Sequence, residues 1–77
     1  MNGTPLSFDE LNFRVAMAKA RIKAVGEVGR RAGISTSYAR QISMGLVPPE
    51  RVRNAVAQAL GVKPSEIWRP AQTTAAA

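Results

Sequence analysis

Side chains able to do covalent chemistry are scarce in this chain, whereas side chains able to bind an anion are abundant. Its 77 residues include no His and no Cys, so the usual general base, thiolate nucleophile and zinc ligands are missing. The five acidic residues are scattered, and no pair of them has the spacing of an acid–base couple on one helix face. We therefore expect a protein that is not an enzyme and that uses no metal and no cofactor.

Hydrogen-bonding side chains are concentrated in the middle of the chain. Here Ala39 and Ile42 have the spacing of the buried side of a helix over about 36–44. On the opposite side, Arg40 is able to donate two hydrogen bonds to guanine, and Gln41 is able to pair with adenine in a major groove. The residues predicted to read DNA bases are Ser35, Thr36, Ser37, Arg40, Gln41 and Met44.

A tight turn before this helix is predicted by Gly33. It follows an apolar-periodic run over 25–32, and glycine readily adopts the left-handed backbone conformation that ends a helix. Ser35 is placed to cap the next helix through its hydroxyl, and Gly45 follows the last periodic residue. The sequence therefore predicts two short helices joined by a tight turn within 25–45.

This turn resembles the helix-turn-helix of lambda-repressor-like DNA-binding domains, the family of the Cro and cI-type phage repressors. A further likeness lies at 60–68, where LGVKPSEIW is similar to the ending common in that family and in Ner-type phage regulators. Together the likeness covers roughly residues 8 to 69. The positions that carry it around the turn are Gly29, Gly33, Ile34, Ala39, Ile42 and Gly45.

The resemblance implies a sequence-specific transcriptional regulator, most simply a small phage or plasmid repressor. Such a protein binds a palindromic operator in double-stranded DNA as a homodimer, because the symmetry of the site mirrors that of the protein. An alternative from another class is a protein-interaction module, antitoxin- or adaptor-like, that uses the apolar faces of the first helix and of the C-terminal segment. Neither interpretation requires a small-molecule ligand.

Positive charge is concentrated around the predicted turn. Between Arg14 and Arg53 there are nine basic residues against two acidic ones. Such a field attracts polyanions, although a solvated basic surface without a specific partner would have the same composition. In the resembled fold the start of the first motif helix and the loop before the fourth helix lie against the DNA backbone, which favours Lys23 and Arg51. The predicted phosphate contacts are Lys23, the backbone N–H of Gly26, Arg30, Arg31, the hydroxyl donors of Tyr38 and Ser43, Arg51 and Arg53.

The elements that must position this motif are all predicted as helices. A capping box of Ser7 and Glu10 begins a first helix over about 7–23. Two prolines suit the start of a fourth helix that ends at about residue 60, and a proline begins a last short helix over 64–68. The expected fold class is all-α, a compact bundle of about five short helices with a central helix-turn-helix.

The domain is expected to span 7–69, with a flexible N-terminus at 1–6 and a disordered tail at 70–77. No apolar run approaches the ~20 residues that span a bilayer, and the N-terminal residues lack the basic-then-apolar pattern of a signal peptide. We therefore expect no membrane contact and a cytoplasmic protein that associates with the nucleoid through DNA.

Two choices are left open by the sequence. The first helix has two apolar stripes on opposite sides, and either stripe could face the core. Ile67 and Trp68 could form a lid over the core or a two-fold dimer contact. The stripes consist of Phe8, Leu11, Val15, Ala18 and Ile22 on one side, and of Phe13, Met17, Ala20 and Ala24 on the other.

Overall fold

A computed structural model describes residues 5–70 of the chain. The described residues form four α-helices, a short 3-10 turn and a two-stranded sheet, so the expected all-α bundle of about five helices is corrected. Of the flexible N-terminus expected at 1–6 and the disordered tail expected at 70–77, residues 1–4 and 71–77 lie outside the described residues. In chain order the elements are β1 (Leu6–Phe8), α1 (Glu10–Lys19), α2 (Val25–Ala32), α3 (Thr36–Ser43), α4 (Glu50–Leu60), the 3-10 turn (Pro64–Glu66) and β2 (Trp68–Pro70).

The sheet joins the two ends of the domain. β1 and β2 are antiparallel, and Leu6 pairs with Pro70 while Phe8 pairs with Trp68. The first strand alternates two half-buried apolar residues with the exposed Ser7, which is the pattern of a strand with one packed face. Ser7 therefore belongs to a strand and does not cap α1. The capping-box prediction was wrong because the apolar alternation gains tertiary contacts that the local cap cannot supply.

Asp9 is the residue that caps α1. Its carboxylate accepts a hydrogen bond of 2.9 Å from the backbone N–H of Asn12. The backbone N–H of Asp9 donates to the carbonyl oxygen of Ile67 at 2.7 Å, and the side-chain amide of Asn12 donates to that of Glu66 at 2.8 Å. The start of α1 is therefore tied to the C-terminal segment.

All four α-helices end in the same hydrogen-bonding arrangement, the Schellman motif. After α1, the N–H of Ile22 bonds to the carbonyl oxygen of Met17 at 2.9 Å, and Arg21 adopts a left-handed φ of 60°. Helix α1 thus ends at Lys19 and does not continue to Lys23, because the reversal at Arg21 sends Ile22 into the core. Glycines occupy the left-handed position after the other three helices, at Gly33, Gly45 and Gly61.

The core settles which stripe of the first helix faces inward. Phe13 is only 2% exposed and Met17 packs against the core, whereas Leu11 is 70% exposed and Val15 is 41% exposed. Ala16, which belongs to neither stripe, is also buried. The buried core consists of Phe13, Ala16, Ile22, Val28, Ile42, Val56, Ala57, Leu60, Ile67 and Trp68.

Ile67 and Trp68 belong to this core. Ile67 is fully buried and Trp68 is 3% exposed, while the Trp68 ring lies 6.4 Å from that of Phe8, centroid to centroid. The structure corrects the expected dimer contact at these two residues, since neither side chain is available on the surface of the chain. Trp68 also lies in β2 and not in a terminal helix, because pairing with β1 covers its aromatic ring.

The lengths of the helices bear on the expectation that the protein makes no membrane contact. Within 5–70 the longest helix, α4, has 11 residues, and no helix reaches the length and apolar character needed to cross a bilayer.

Replacing the helix cap tests the correction at the start of α1. We expect Asp9→Ala to lower the free energy of unfolding by about 1 kcal/mol, because the Asn12 N–H loses its acceptor. The matched change Ser7→Ala should alter it by less than about 0.5 kcal/mol, since Ser7 is an exposed strand residue. Urea denaturation followed by circular dichroism measures both values, and a larger loss for Ser7→Ala would contradict the assignment.

Candidate nucleic-acid interface

Helices α2 and α3 are the two short helices joined by a tight turn that the sequence predicts. Gly33 follows α2 with a left-handed φ of 79°, and the N–H of Ile34 bonds back to the carbonyl oxygen of Gly29 at 2.9 Å. Ser35 then caps α3, where its hydroxyl oxygen accepts a hydrogen bond of 3.0 Å from the Tyr38 N–H. The expected turn glycine and the expected cap are confirmed.

Gly29 lets the two helices approach closely. A Cβ added there would lie 3.1 Å from the carbonyl oxygens of Ile34 and Ser35, and 3.2 Å from the Cβ of Ala39. Two of these neighbours are backbone atoms, which cannot move without displacing the turn. A side chain at this position would therefore push α3 away from α2, and the glycine fixes how the two helices cross.

Helix α3 has one buried side and one exposed side. Ala39 is 2% exposed and Ile42 is 1% exposed, as expected for the inward positions. The outward positions repeat at intervals of three and four residues, which places them on one face of the helix. All six residues predicted to read bases are exposed on this side or at its ends: Ser35, Thr36, Ser37, Arg40, Gln41 and Met44.

Thr36 connects this face to the start of α2. Its methyl carbon lies 3.4 Å from the position that a Cβ on Gly26 would occupy. The N-terminal ends of the two helices therefore lie side by side, and the backbone of Gly26 is next to the exposed face. The Thr36 methyl group, expected to contact a thymine, is turned toward α2.

Three predicted phosphate contacts are already engaged within the chain. Arg31 forms an ion pair with Glu27 at 2.6 Å, and Arg53 donates to the carbonyl oxygen of Pro48 at 2.7 Å. The Ser43 hydroxyl donates to the carbonyl oxygen of Arg40 at 2.7 Å. Since a hydroxyl has a single proton, Ser43 would have to give up this hydrogen bond in order to donate to a phosphate.

Four cations remain exposed around the motif. Within 5–70 no ion pair involves Lys23, Arg30, Arg40 or Arg51. Lys23 lies two residues before α2, and Arg51 lies in the first turn of α4. Tyr38 is half-buried, and its side chain packs against the core beside α3. Of these four cations, Arg40 lies on α3 itself, and the other three lie on or next to α2 and α4.

Two features of this region were missed by sequence reasoning. Arg21 was counted only as one of many basic residues, although its left-handed backbone sets it apart. A cluster of exposed apolar residues follows α3, where Met44 is 85% exposed, Leu46 is 42% exposed and Val47 is 36% exposed. The sequence did contain a signal for this apolar cluster, because Leu46 and Val47 are large apolar residues that fit no helical period.

One small cavity lies beside this part of the molecule. A cavity of about 230 Å³ lies where α1 meets the start of α2 and the end of α3, with Phe13 and Met17 among its lining residues. This volume is below that of usual small-molecule sites, roughly 300–1,000 Å³. Within 5–70, no cluster of three or more acidic side chains is arranged to hold a metal ion.

Comparison of the chain with protein-family models, with curated proteins and with solved structures finds no match. What can be inferred of the protein's function therefore comes from the geometry of the exposed face and from the sequence of α3.

Filling the space at Gly29 tests the close approach of α2 and α3. We expect Gly29→Ala to lower the free energy of unfolding by about 1–3 kcal/mol, because the added methyl group overlaps two backbone oxygens. Gly26→Ala is the matched control on the same helix, where a methyl group meets only the Thr36 side chain at ordinary contact distance. It should leave stability unchanged or raise it by up to about 1 kcal/mol.

Thermal and urea unfolding of both variants measure the difference. Equal stability of the two variants would contradict a close approach at Gly29.

Proposed function

We propose that this protein is a sequence-specific DNA-binding regulator, acting as a repressor that inserts α3 into the major groove of an operator. The observation that supports this most is the exposed row of hydrogen-bonding side chains on a helix whose opposite side is buried by Ala39 and Ile42. A helix with its side chains is about 10–12 Å across, which matches a major groove roughly 12 Å wide.

Base recognition is assigned chiefly to Arg40 and Gln41. Both side chains are exposed, and no hydrogen bond within 5–70 engages the guanidinium or the amide. Arginine makes two hydrogen bonds with guanine O6 and N7, and glutamine makes two with adenine N6 and N7. Ser35, Thr36, Ser37 and Met44 flank this pair and complete the reading face.

Backbone contacts are assigned to the cations beside this face. Lys23 and the N–H of Gly26 stand at the start of α2, where the positive end of the helix dipole adds to their attraction for a phosphate. Arg51 adds charge from the first turn of α4, and Arg30 adds charge from α2. Arg31 and Arg53 contribute less in this proposal, because each is already bound within the chain.

The regulator is proposed to bind as a homodimer, at least on DNA, in the cytoplasm. Blocking access of RNA polymerase to the operator would then be its mechanism. Burial of Ile67 and Trp68 means that another surface would have to join the two copies. Exposed apolar side chains within 5–70 that could supply it include Leu46 and Val47, beside the end of α3.

The alternative, a protein-interaction module, loses one of the two faces of the first helix, because Phe13 is only 2% exposed and Met17 packs on the core. The other face keeps Leu11 and Val15 exposed.

Removing the two principal base contacts tests the proposed recognition. Selection of binding sites from random duplexes should first yield a symmetric motif with half-sites about one helical turn, roughly 34 Å, apart. The double variant Arg40→Ala, Gln41→Ala should lose discrimination between this motif and random DNA, since each two-hydrogen-bond contact is worth about 1–3 kcal/mol. Competition binding measures this ratio.

Circular dichroism should show that the double variant remains folded, because both residues are exposed. Unchanged discrimination by a folded double variant would exclude this base-reading assignment, and failure to select any motif would exclude sequence-specific binding.

Removing a cation that is proposed to contact the DNA backbone should have a different effect on binding. We expect Lys23→Ala and Arg51→Ala to weaken binding to selected and random duplexes alike, because phosphates are the same in every sequence. Each loss should reduce the slope of log affinity against log salt by about 0.9. A salt titration of binding measures that slope, and loss of affinity for the selected motif alone would argue for base contacts instead.

A further inference from the structure

Arg21 stands out among the four helix ends. It is the one residue other than glycine with a positive φ in the described part of the chain, and it fills the position that glycines fill after α2, α3 and α4. Its side chain is exposed. The chain thus uses an arginine where its own repeated arrangement favours glycine.

This choice has a cost in stability. A Cβ in the left-handed region clashes with the neighbouring carbonyl oxygen, which lowers the folding equilibrium constant by roughly 5- to 30-fold relative to glycine. No hydrogen bond or ion pair within 5–70 involves the Arg21 guanidinium, so contacts of that kind do not offset the cost there. The fold requires the left-handed backbone here but not an arginine, which is a reason to look for a function of the side chain.

The position of Arg21 relative to α2 indicates which function. Ile22 is 4% exposed and anchors the linker in the core, while its two neighbours, Arg21 and Lys23, are both exposed cations. Four residues separate Arg21 from Val25, a distance of at most about 14 Å along extended chain. The N-terminal end of α2, in turn, lies beside α3 through the contact between Gly26 and Thr36.

We propose that Arg21 binds a phosphate of the DNA backbone next to the major groove that α3 enters, and that its strained backbone is retained for this charge. The inference rests on the proposed DNA-binding function and adds a contact to it. A guanidinium suits this role because it stays charged and forms paired hydrogen bonds with phosphate oxygens.

A purely structural role would give a different result. A cation at a helix C-terminus interacts favourably with the helix dipole, so Arg21 could instead stabilise the end of α1. In that case Arg21→Gly would lower stability and leave DNA binding intact. Our proposal predicts the opposite, with stability and affinity changing in opposite directions.

Three substitutions separate charge from backbone strain. Arg21→Gly removes both the charge and the strain, Arg21→Ala removes only the charge, and Arg21→Lys keeps both. Lys63→Ala is the control for net charge, because Lys63 is an exposed cation beside the 3-10 turn and outside the helix-turn-helix. Binding to a random-sequence duplex and to the selected motif is measured by fluorescence anisotropy over a range of salt concentrations, and stability by urea unfolding.

We expect both Arg21→Gly and Arg21→Ala to bind the two duplexes several-fold more weakly at low salt, with the salt slope reduced by about 0.9. Arg21→Lys should keep most of the slope, and Lys63→Ala should keep all of it. Only Arg21→Gly should gain stability, by about fivefold or more in the folding equilibrium constant.

Binding by Arg21→Gly with the affinity and slope of the unsubstituted protein would overturn the inference alone. An equal loss of slope in Lys63→Ala would also overturn it, because net charge would then explain the effect. Failure of the unsubstituted protein to bind either duplex would overturn the proposed function and this inference with it.

Discussion

The close approach of α2 and α3 at Gly29 is the constraint on which the rest of the candidate site depends. Because this position has no Cβ, the turn backbone at Ile34 and Ser35 packs directly on α2. That packing turns Ala39 and Ile42 inward, and it therefore turns Arg40 and Gln41 outward. Thr36 also lies beside Gly26, so the N-terminal ends of the two helices are close together. The absence of a side chain at Gly29 thus helps to set which way the exposed face of α3 is turned.

The remainder of the fold holds α2 and α3 in place although the chain buries little surface. A chain of this size buries only a modest fraction of its surface. The two-stranded sheet and the bonds from the start of α1 to the C-terminal segment connect the ends of the domain, which lets Phe8 and Trp68 cover the core from outside the helices. The Schellman motif at the end of each helix reverses the chain sharply, so the linkers between the helices are short.

Local signals predicted α2, α3 and α4 well and α1 poorly, for a physical reason. The cap at Ser35 and the turn at Gly33 involve atoms close together in sequence, so their chemistry can be read from the residues. The start of α1 is decided by Ile67, Trp68 and Pro70, which lie about sixty residues away. Ser7 and Glu10 had the spacing of a capping box, but strand pairing outweighed it.

The sequence by itself determined that the chain contains two short helices joined by a tight turn, with an exposed polar face on the second, because helical period, turn glycine and cap are all short-range properties. It also determined the chemistry of that face, since side-chain identity fixes which hydrogen bonds are possible. The partners of Arg31 and Arg53 are also close in sequence, at Glu27 and Pro48. Only the tertiary structure decided that Ile67 and Trp68 are core residues and that Arg21 is strained, since burial and backbone angles depend on how the whole chain packs.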